Sequence, residues 1–513
     1  LGDDHPDTLS SIASVGSYLS AQGRYDEAEP FYREALEKRR RVLGEEAPDT
    51  LTSFSNLGAL LMDQGLMEQA EPVLREVLAI RQRVLGEDAV DTVTSISNLA
   101  ALFEDQGKYA EAEPLVRQAL QQRRRLLGED HADTLLSLNN LATLMRRQRR
   151  LDEAIACMRE VVDTRRRLLG DVHPSTLRAI NNLGTTLAEN GFADEGEALM
   201  REALTNQKRL LGADHPSTLN SLSNLAVFLV NKGNFTEAEP MCRESLDRRR
   251  RVLGEHHPGT LGAFNVMGFV LRRQGKDAEA EPYLRKTLEL SQQVLNPAHP
   301  DLFLYAHNLA LLLVTQDKLA EAEKLLQGVL AEGTTALGAD HPTVASAAKN
   351  LAKLYWDTER LDKSIPIYEA ALETRQQNPG RQHPETLLII ANLGLNYKQA
   401  GRLAEAIPLL EEAFKASKQQ PNLGFVGPQL FDAYVQSGEA GRSEDRVKAD
   451  ALRLQLLDAA RKELADGSPQ LARLLAQLAK GLMQQQNWGE AETLLSESLA
   501  IHESVEADVW STF

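Results

Sequence analysis

Apolar positions along the chain fall on a stripe that returns at a fixed interval. In residues 132–147, Leu138, Leu141, Ala142 and Met145 recur at three- and four-residue steps, which puts them on one face of an amphipathic helix. A second helical stretch accompanies each such helix, as from Tyr109 to the basic run Arg123-Arg124-Arg125. The pair repeats every 42 residues, marked by Leu-Gly at Leu1-Gly2, Leu43-Gly44, Leu85-Gly86, Leu127-Gly128, Leu169-Gly170, Leu211-Gly212, Leu253-Gly254 and Leu337-Gly338. One variant, Leu295-Asn296, puts asparagine where the helix-closing glycine stands. Asparagine is the other residue that tolerates a left-handed conformation, so the same cap is expected there.

Each unit carries its own start and stop signals. The first helix opens at His-Pro or an equivalent, as in His173-Pro174-Ser175-Thr176, and stops near Gln106-Gly107 or its counterparts. The second ends in basic residues, which suit the negative end of a helix dipole, and reads as a solvated helix end rather than a nucleic-acid patch. Two positions stay small throughout: Gly58, Ala100, Ala142 and Gly184 in first helices, and Ala70, Ala112, Ala154 and Gly196 twelve residues later. Small residues there let the paired helices approach closely, which is the pattern of a tetratricopeptide (TPR) repeat lengthened by eight residues. The predicted fold class is all-α, an α-solenoid of TPR helix-turn-helix units.

The run Gly128 to Ala142 (Gly-Glu-Asp-His-Ala-Asp-Thr-Leu-Leu-Ser-Leu-Asn-Asn-Leu-Ala) and the Gln-Gly-Lys-Tyr form at Gln106 to Pro114 resemble the 42-residue TPR of kinesin light chains. The resemblance covers about four-fifths of the chain. It implies an all-α, right-handed superhelical α-solenoid whose first helices line a concave groove for extended peptides. Ten units occupy 1–420; 421–467 read as a linker, 421–427, and an irregular helix pair; 468–513 read as one further unit and the truncated start of the next. The tail is similar to C-terminal TPR arrays of some bacterial serine/threonine kinases, yet the chain holds no kinase motif. Because solenoid contacts are local, residues 1–420 are expected to stay helical when 421–513 are deleted.

Composition narrows the partners. A net charge of −17, from 57 Lys+Arg against 74 Asp+Glu, opposes binding to a phosphate backbone. Cys157 and Cys242, two repeats apart, read as free thiols of a reducing compartment, and no apolar run suits a membrane span or a signal sequence. A cytoplasmic location follows as an expectation. The chain lacks an initial Met and ends on Trp510-Ser511-Thr512-Phe513, and so reads as a piece of a longer protein.

Histidine recurs at His5, His131, His173, His215, His257, His299, His341 and His383, with no second ligand three or four residues away; a cap or turn role fits better than a metal. Neither cysteine has a local His partner, and phosphate loops, zinc spacings and Gly-x-Ser-x-Gly are absent from the sequence. An enzyme, a metal and a cofactor are therefore not expected.

Asparagine carries the positive signal. Asn56, Asn98, Asn140, Asn182, Asn224, Asn308, Asn350 and Asn392 stand two residues before the small position, in a helix where asparagine is a poor choice. The amide either bonds a neighbouring helix or forms a ladder for the main chain of a ligand, and both can hold. The ladder is similar to that of TPR glycosyltransferases and to peptide contacts in kinesin light chains. Residues one before and three, six and seven after this position should line the groove. They include Asp63, Glu104 and Asp105; Asn139, Arg146 and Arg147; Val227 and Val230; Phe269, Arg272 and Arg273; His307, Leu311 and Val314; and Lys349, Lys353 and Trp356. The function expected is a protein–protein interaction scaffold, the adaptor or regulatory part of a larger signalling protein. Its ligand would be an extended acidic peptide with an apolar or aromatic anchor, held across units 4 to 9. The alternative is a purely structural or self-assembling array without a peptide ligand.

Overall fold

A computed structural model of the chain describes residues 2–376, 380–465 and 467–511, with side chains as far as 503. Among the described residues there are twenty-four α-helices, one short 3₁₀ turn and no strand. Successive repeats pair α1 (Pro6–Ala21) with α2 (Tyr25–Leu43), α3 (Pro48–Asp63) with α4 (Met67–Leu85), and α5 (Val90–Asp105) with α6 (Tyr109–Leu127). The next pairs are α7 (Ala132–Arg147) and α8 (Leu151–Leu169), α9 (Pro174–Glu189) and α10 (Ala193–Leu211), and α11 (Pro216–Asn231) and α12 (Phe235–Leu253). Then come α13 (Pro258–Arg273) and α14 (Asp277–Val294), α15 (Pro300–Thr315) and α16 (Leu319–Leu337), and α17 (Pro342–Asp357) and α18 (Leu361–Arg375). The last are α19 (Pro384–Gln399) and α20 (Leu403–Ser417), α21 (Val426–Glu439) and α22 (Ser443–Glu463), and α23 (Pro469–Gln484) and α24 (Trp488–Ser511). A 3₁₀ turn at Pro421–Leu423 and the start of α21 at Val426 replace much of the expected linker.

Two compact units divide the chain, Leu1–Ala347 and Ala348–Phe513. In each, the core is the line of contact between helix pairs: Leu57, Leu60, Leu74 and Val77 in one repeat of the first unit, Leu393, Leu410, Phe431 and Leu475 in the second.

Local chemistry explains the helix boundaries. His5, His131, His173, His215, His257, His299, His341 and His383 each accept, through Nδ1, the backbone N–H two residues ahead, at 3.0–3.3 Å. An accepting Nδ1 requires the neutral ring with its proton on Nε2, so these histidines are helix N-caps. The glycines after second helices differ from expectation. Gly44, Gly86 and Gly128 sit at φ 84 to 88° and ψ 166 to 168°, a region closed to residues with a Cβ. Asn296 therefore cannot do their work. Helix α14 stops a residue sooner, Leu295 turns extended and buried, and the Asn296 side chain caps Ala298 N–H instead.

The basic runs are also not merely solvated ends. Arg39, Arg81 and Arg123 are buried between repeats, and each donates through Nη1 to a serine of the next first helix, Ser53, Ser95 or Ser137, at 2.7–2.8 Å. Arg165 is buried likewise and bonds the Ser175 carbonyl at 2.9 Å. Burial lowers the pKa of Arg81, Arg123 and Arg165, outweighing the opposing pull of Asp91 on Arg81 and of Asp133 on Arg123. Arg123→Ala, which removes a buried stem and strands Ser137, should cost about 2–3 kcal/mol in urea unfolding. Arg123→Gln should cost well under half of that, because the chain itself buries Gln207 at the equivalent place in α10. Equal losses for the two variants would show that the guanidinium itself, not its volume, holds the repeats together.

Contacts in the first unit extend beyond neighbouring repeats, unlike those of a solenoid whose contacts are all local. The exit of α1 meets the entrance of α13: a Cβ on Gly23 would lie 2.4 Å from Pro258 Cδ. Likewise a Cβ on Gly65 would lie 2.5 Å from His299 Cα, and one on Gly107 3.2 Å from His341 Cα. Repeats 1, 2 and 3 thus touch repeats 7, 8 and 9, six places further on, and a seam runs between successive turns of this unit's superhelix. All three glycines have positive φ, 71 to 77°, so both conformation and space exclude larger residues.

Candidate functional site

The inner face of the first unit is built from its first helices. α3 touches α5, α9 touches α11, α11 touches α13 and α13 touches α15, whereas consecutive second helices make no comparable contact. First helices converging while second helices splay is what gives a solenoid its concave side.

The ladder asparagines lie on this face in two states. Asn182 donates through Nδ2 to Asn139 Oδ1 at 3.5 Å, and Asn308 donates to Asn265 Oδ1 at 2.9 Å, each crossing to the preceding first helix. These two amides therefore serve the fold. Asn56, Asn98, Asn140 and Asn224 are half-buried or exposed, and their side chains take no hydrogen-bond partner among the described residues. Asn350 and Asn392, on α17 and α19 of the second unit, are half-buried, as is Trp356.

The charged and apolar candidates separate by environment. Arg146 is committed to Glu189, Nη1 to Oε1 at 2.8 Å. Arg147 stands 3.9 Å from Asp105 and acts electrostatically on His341, which places it at the seam between turns. Asp63, Glu104 and Asp105 end α3 and α5 at the same seam; burial pushes Glu104 up to about 7 and raises Asp63 and Asp105. Val230 lies in the core and His307 is buried beneath the face, so neither lines a groove; six residues after the ladder position, α11 has already turned inward.

Arg272, Arg273, Phe269 and Leu311 remain. The Arg272 guanidinium lies 5.9 Å from the centre of the Phe269 ring, and burial lowers its pKa. Among the described residues no carboxylate comes within ion-pair distance of Arg272 or of exposed Arg273. Leu311 and Val314 are half-buried on the adjoining α15, with Val227 on α11. A half-buried cation on an aromatic ring, flanked by apolar side chains and with Asp277 acting on it only from beyond ion-pair distance, is a ready partner for a carboxylate. In the second unit the corresponding cation is already matched: Lys398 Nζ bonds Gln429 at 2.7 Å and Asp432 at 3.3 Å.

Other chemistry is sparse. Burial raises the Cys157 thiol and pushes Cys242 up to about 12, far from a reactive thiolate. Among the described residues no group of three or more His, Cys, Asp or Glu could hold a metal ion, and no helix is long and apolar enough to cross a membrane.

This architecture is an α-solenoid of paired helices with a concave face of first helices. Tetratricopeptide-repeat models match residues 8–49 and, in eight overlapping windows running from 49–122 to 343–419, most of the chain. The chain belongs to the tetratricopeptide repeat family. Similar solved structures include the putative kinesin light chain TPR-like repeats of Podosopora anserina, 23% identical over 40% of this chain and 97% of that one, TM-score 0.34. BtubC (BKLC) from P. vanneervenii is 22% identical over 45% of this chain and 92% of that one, TM-score 0.38. The human IFIT1 dimer with m7Gppp-AAAA is 15% identical over 88% and 90%, TM-score 0.43. No curated protein matches the chain.

Proposed function

We propose that the inner face of the first unit binds an extended acidic peptide carrying an apolar or aromatic anchor, across repeats 4 to 8. The observation that supports this most directly is Arg272, half-buried on Phe269 and without an ion-pair partner among the described residues, Asp277 acting on it only from beyond ion-pair distance, in a chain of net charge −17. Leaving such a group unpaired costs stability, and a ligand carboxylate recovers it. Asn140 and Asn224 supply amides that can bond any main chain, while Phe269, Leu311 and Val227 supply an apolar floor. Arg146, paired with Glu189, contributes less than its sequence position implied. The acidic cluster Asp63, Glu104 and Asp105 repels the same ligand and sets its register toward α13 and α15.

The test is a peptide array followed by fluorescence anisotropy on the full chain. Acidic peptides with an aromatic residue should dominate the hits. Arg272→Glu with Arg273→Glu should weaken them about tenfold or more, a loss of at least ~1.4 kcal/mol, with unchanged circular dichroism. Basic peptides as the main hits, or undiminished binding by that double variant, would remove the groove assignment.

A further inference from the structure

Each junction between repeats has one position whose charge is held almost constant. Repeats 1 to 7 carry arginine there, at 42-residue steps from Arg33 to Arg285. Arg159, Arg201 and Arg285 reach the next second helix and bond Glu195, Glu237 and Glu321, each thirty-six residues on, at 2.6–2.9 Å. At the same position Arg75 lies 5.4 Å from the centre of the Phe103 ring, on the first helix that follows. The arginine stem thus covers the apolar gap between helices while its head meets a carboxylate.

In the second unit the charge at this position is reversed. Helix α18 carries Glu369, and thirty-six residues on stands Glu405, the equivalent of Glu195 and Glu321. Tyr397 takes the place of Phe103, and its hydroxyl donates to Glu369. Where the arginine would lie, a hollow of about 430 Å³ opens, floored by Leu372, Leu393 and Leu409 and edged by Glu369, Glu373 and Glu405. Arg402 lies 4.3 Å from the centre of the Tyr397 ring but bonds Glu405, and acts on Glu369 only from a distance. Arg381, at the edge, is paired with Glu412 at 2.7 Å. Among the described residues no cation comes within ion-pair distance of Glu369 or Glu373. The next junction contains the missing partner. There Glu411 accepts from the Tyr434 hydroxyl in the same way, and the chain itself supplies Lys448, 3.1 Å from the carboxylate and 5.3 Å from the ring centre.

We propose that the hollow between α18, α19 and α20 takes an arginine side chain from a partner protein. Its stem lies on Leu393 and Leu409 and its guanidinium meets Glu369 and Glu373, in the place that the chain's own arginine holds in repeats 1 to 7. The site shares no residue with the groove of the first unit and stands apart from that reading.

The test uses N-acetylarginine methylamide and its neutral isostere, the citrulline analogue, titrated into the full chain at low salt and followed by saturation-transfer NMR. The arginine analogue should bind at least about fivefold more tightly than the citrulline analogue. Glu369→Gln keeps an acceptor for the Tyr397 hydroxyl and removes the charge; it should weaken the arginine analogue by about fivefold or more. Glu369→Arg restores the residue of the other repeats. It should abolish binding while the helical signal is unchanged and the unfolding midpoint is no lower than that of the wild type. Arg272→Glu with Arg273→Glu should leave the titration as it was. Binding of neither analogue, equal binding of the two, or undiminished binding by Glu369→Gln overturns the proposal. So does binding lost in the Arg272 and Arg273 double variant, which would place the ligand in the groove of the first unit.

Discussion

Gly196→Ala should lower the stability of the first unit by about 2–3 kcal/mol, although alanine is the better helix former by about 1 kcal/mol. A Cβ on Gly196 would lie 2.5 Å from the Gly184 carbonyl oxygen and 2.9 Å from Ala188 N. Both are backbone atoms of the paired helix, and neither can yield as a side chain would. In this repeat both small positions are glycine, so α9 and α10 approach closer than pairs that carry one alanine. Gly328→Ala is the matched control. It lies within α16 with nothing within 4 Å of a Cβ, and should stabilise by ~0.5–1 kcal/mol through propensity alone. Urea midpoints for the two variants should move in opposite directions. If Gly196→Ala is as stable as wild type, the helix pair relaxes freely and close approach is not what keeps the position small.

Much of the architecture was legible because it rests on short-range physics that repeats. Helix starts at His-Pro, stops at Gln-Gly and the small–small contact depend on residues within one unit, and the 42-residue interval states each of them many times over. What one repeat does not contain stayed hidden. The arginine at the start of each basic run looks like its neighbours in sequence, and only the packing of the next first helix distinguishes buried Arg123 from exposed Arg125. Its signal was present in the serine fourteen residues later, Ser53, Ser95 and Ser137. The Asn296 variant misled because a helix-ending glycine can occupy either of two positive-φ regions, and only one admits asparagine. Among candidate groove residues, offsets from the ladder position identified the face, but not which charges were spent. Glu189 and Asp105 lie on neighbouring repeats, so pairing with Arg146 or Arg147 depends on the pitch of the superhelix. That pitch also produces the seam, which joins residues more than two hundred positions apart and has no signature within a unit.

The seam makes the second large prediction. Gly65→Asn should open it, while Gly275→Asn, with almost the same φ (73° against 77°) and nothing within 4 Å, should cost less than ~1 kcal/mol. Asparagine accepts the left-handed backbone at both places, so the difference isolates the collision with His299, for which about 2–3 kcal/mol is expected. Hydrogen exchange at 62–66 and 298–302 should rise in the first variant and stay unchanged in the second.

Acid should do the same to the wild type. Burial lowers His257 and His299 and pushes His341 down to about 4; His257 faces the Ala21 carbonyl and Arg249, His299 the Asp63 carbonyl with Asp301 and Asp105, and His341 faces Arg147. These rings are neutral in the closed seam and take up protons when it opens. Their contribution is therefore complete above the ordinary value near 6.5 and is lost as pH falls below it; for His341 the loss continues toward 4, by about tenfold in the opening equilibrium per pH unit. Glu104 works the other way. Held up to about 7 by burial, it favours the fold below its ordinary range near 4.5, and that contribution is lost as pH rises through 7. Asp63 and Asp105, raised by the same burial, act in the same sense as Glu104. Exchange at the seam, corrected for intrinsic rates, should be slowest between these limits. Glu104→Gln should reduce the rise on the alkaline side and leave the acid side unchanged, and Gly65→Asn should flatten the acid side, because its histidines are already exposed. Acid sensitivity undiminished in Gly65→Asn would mean that the protons act elsewhere than at the contact between turns.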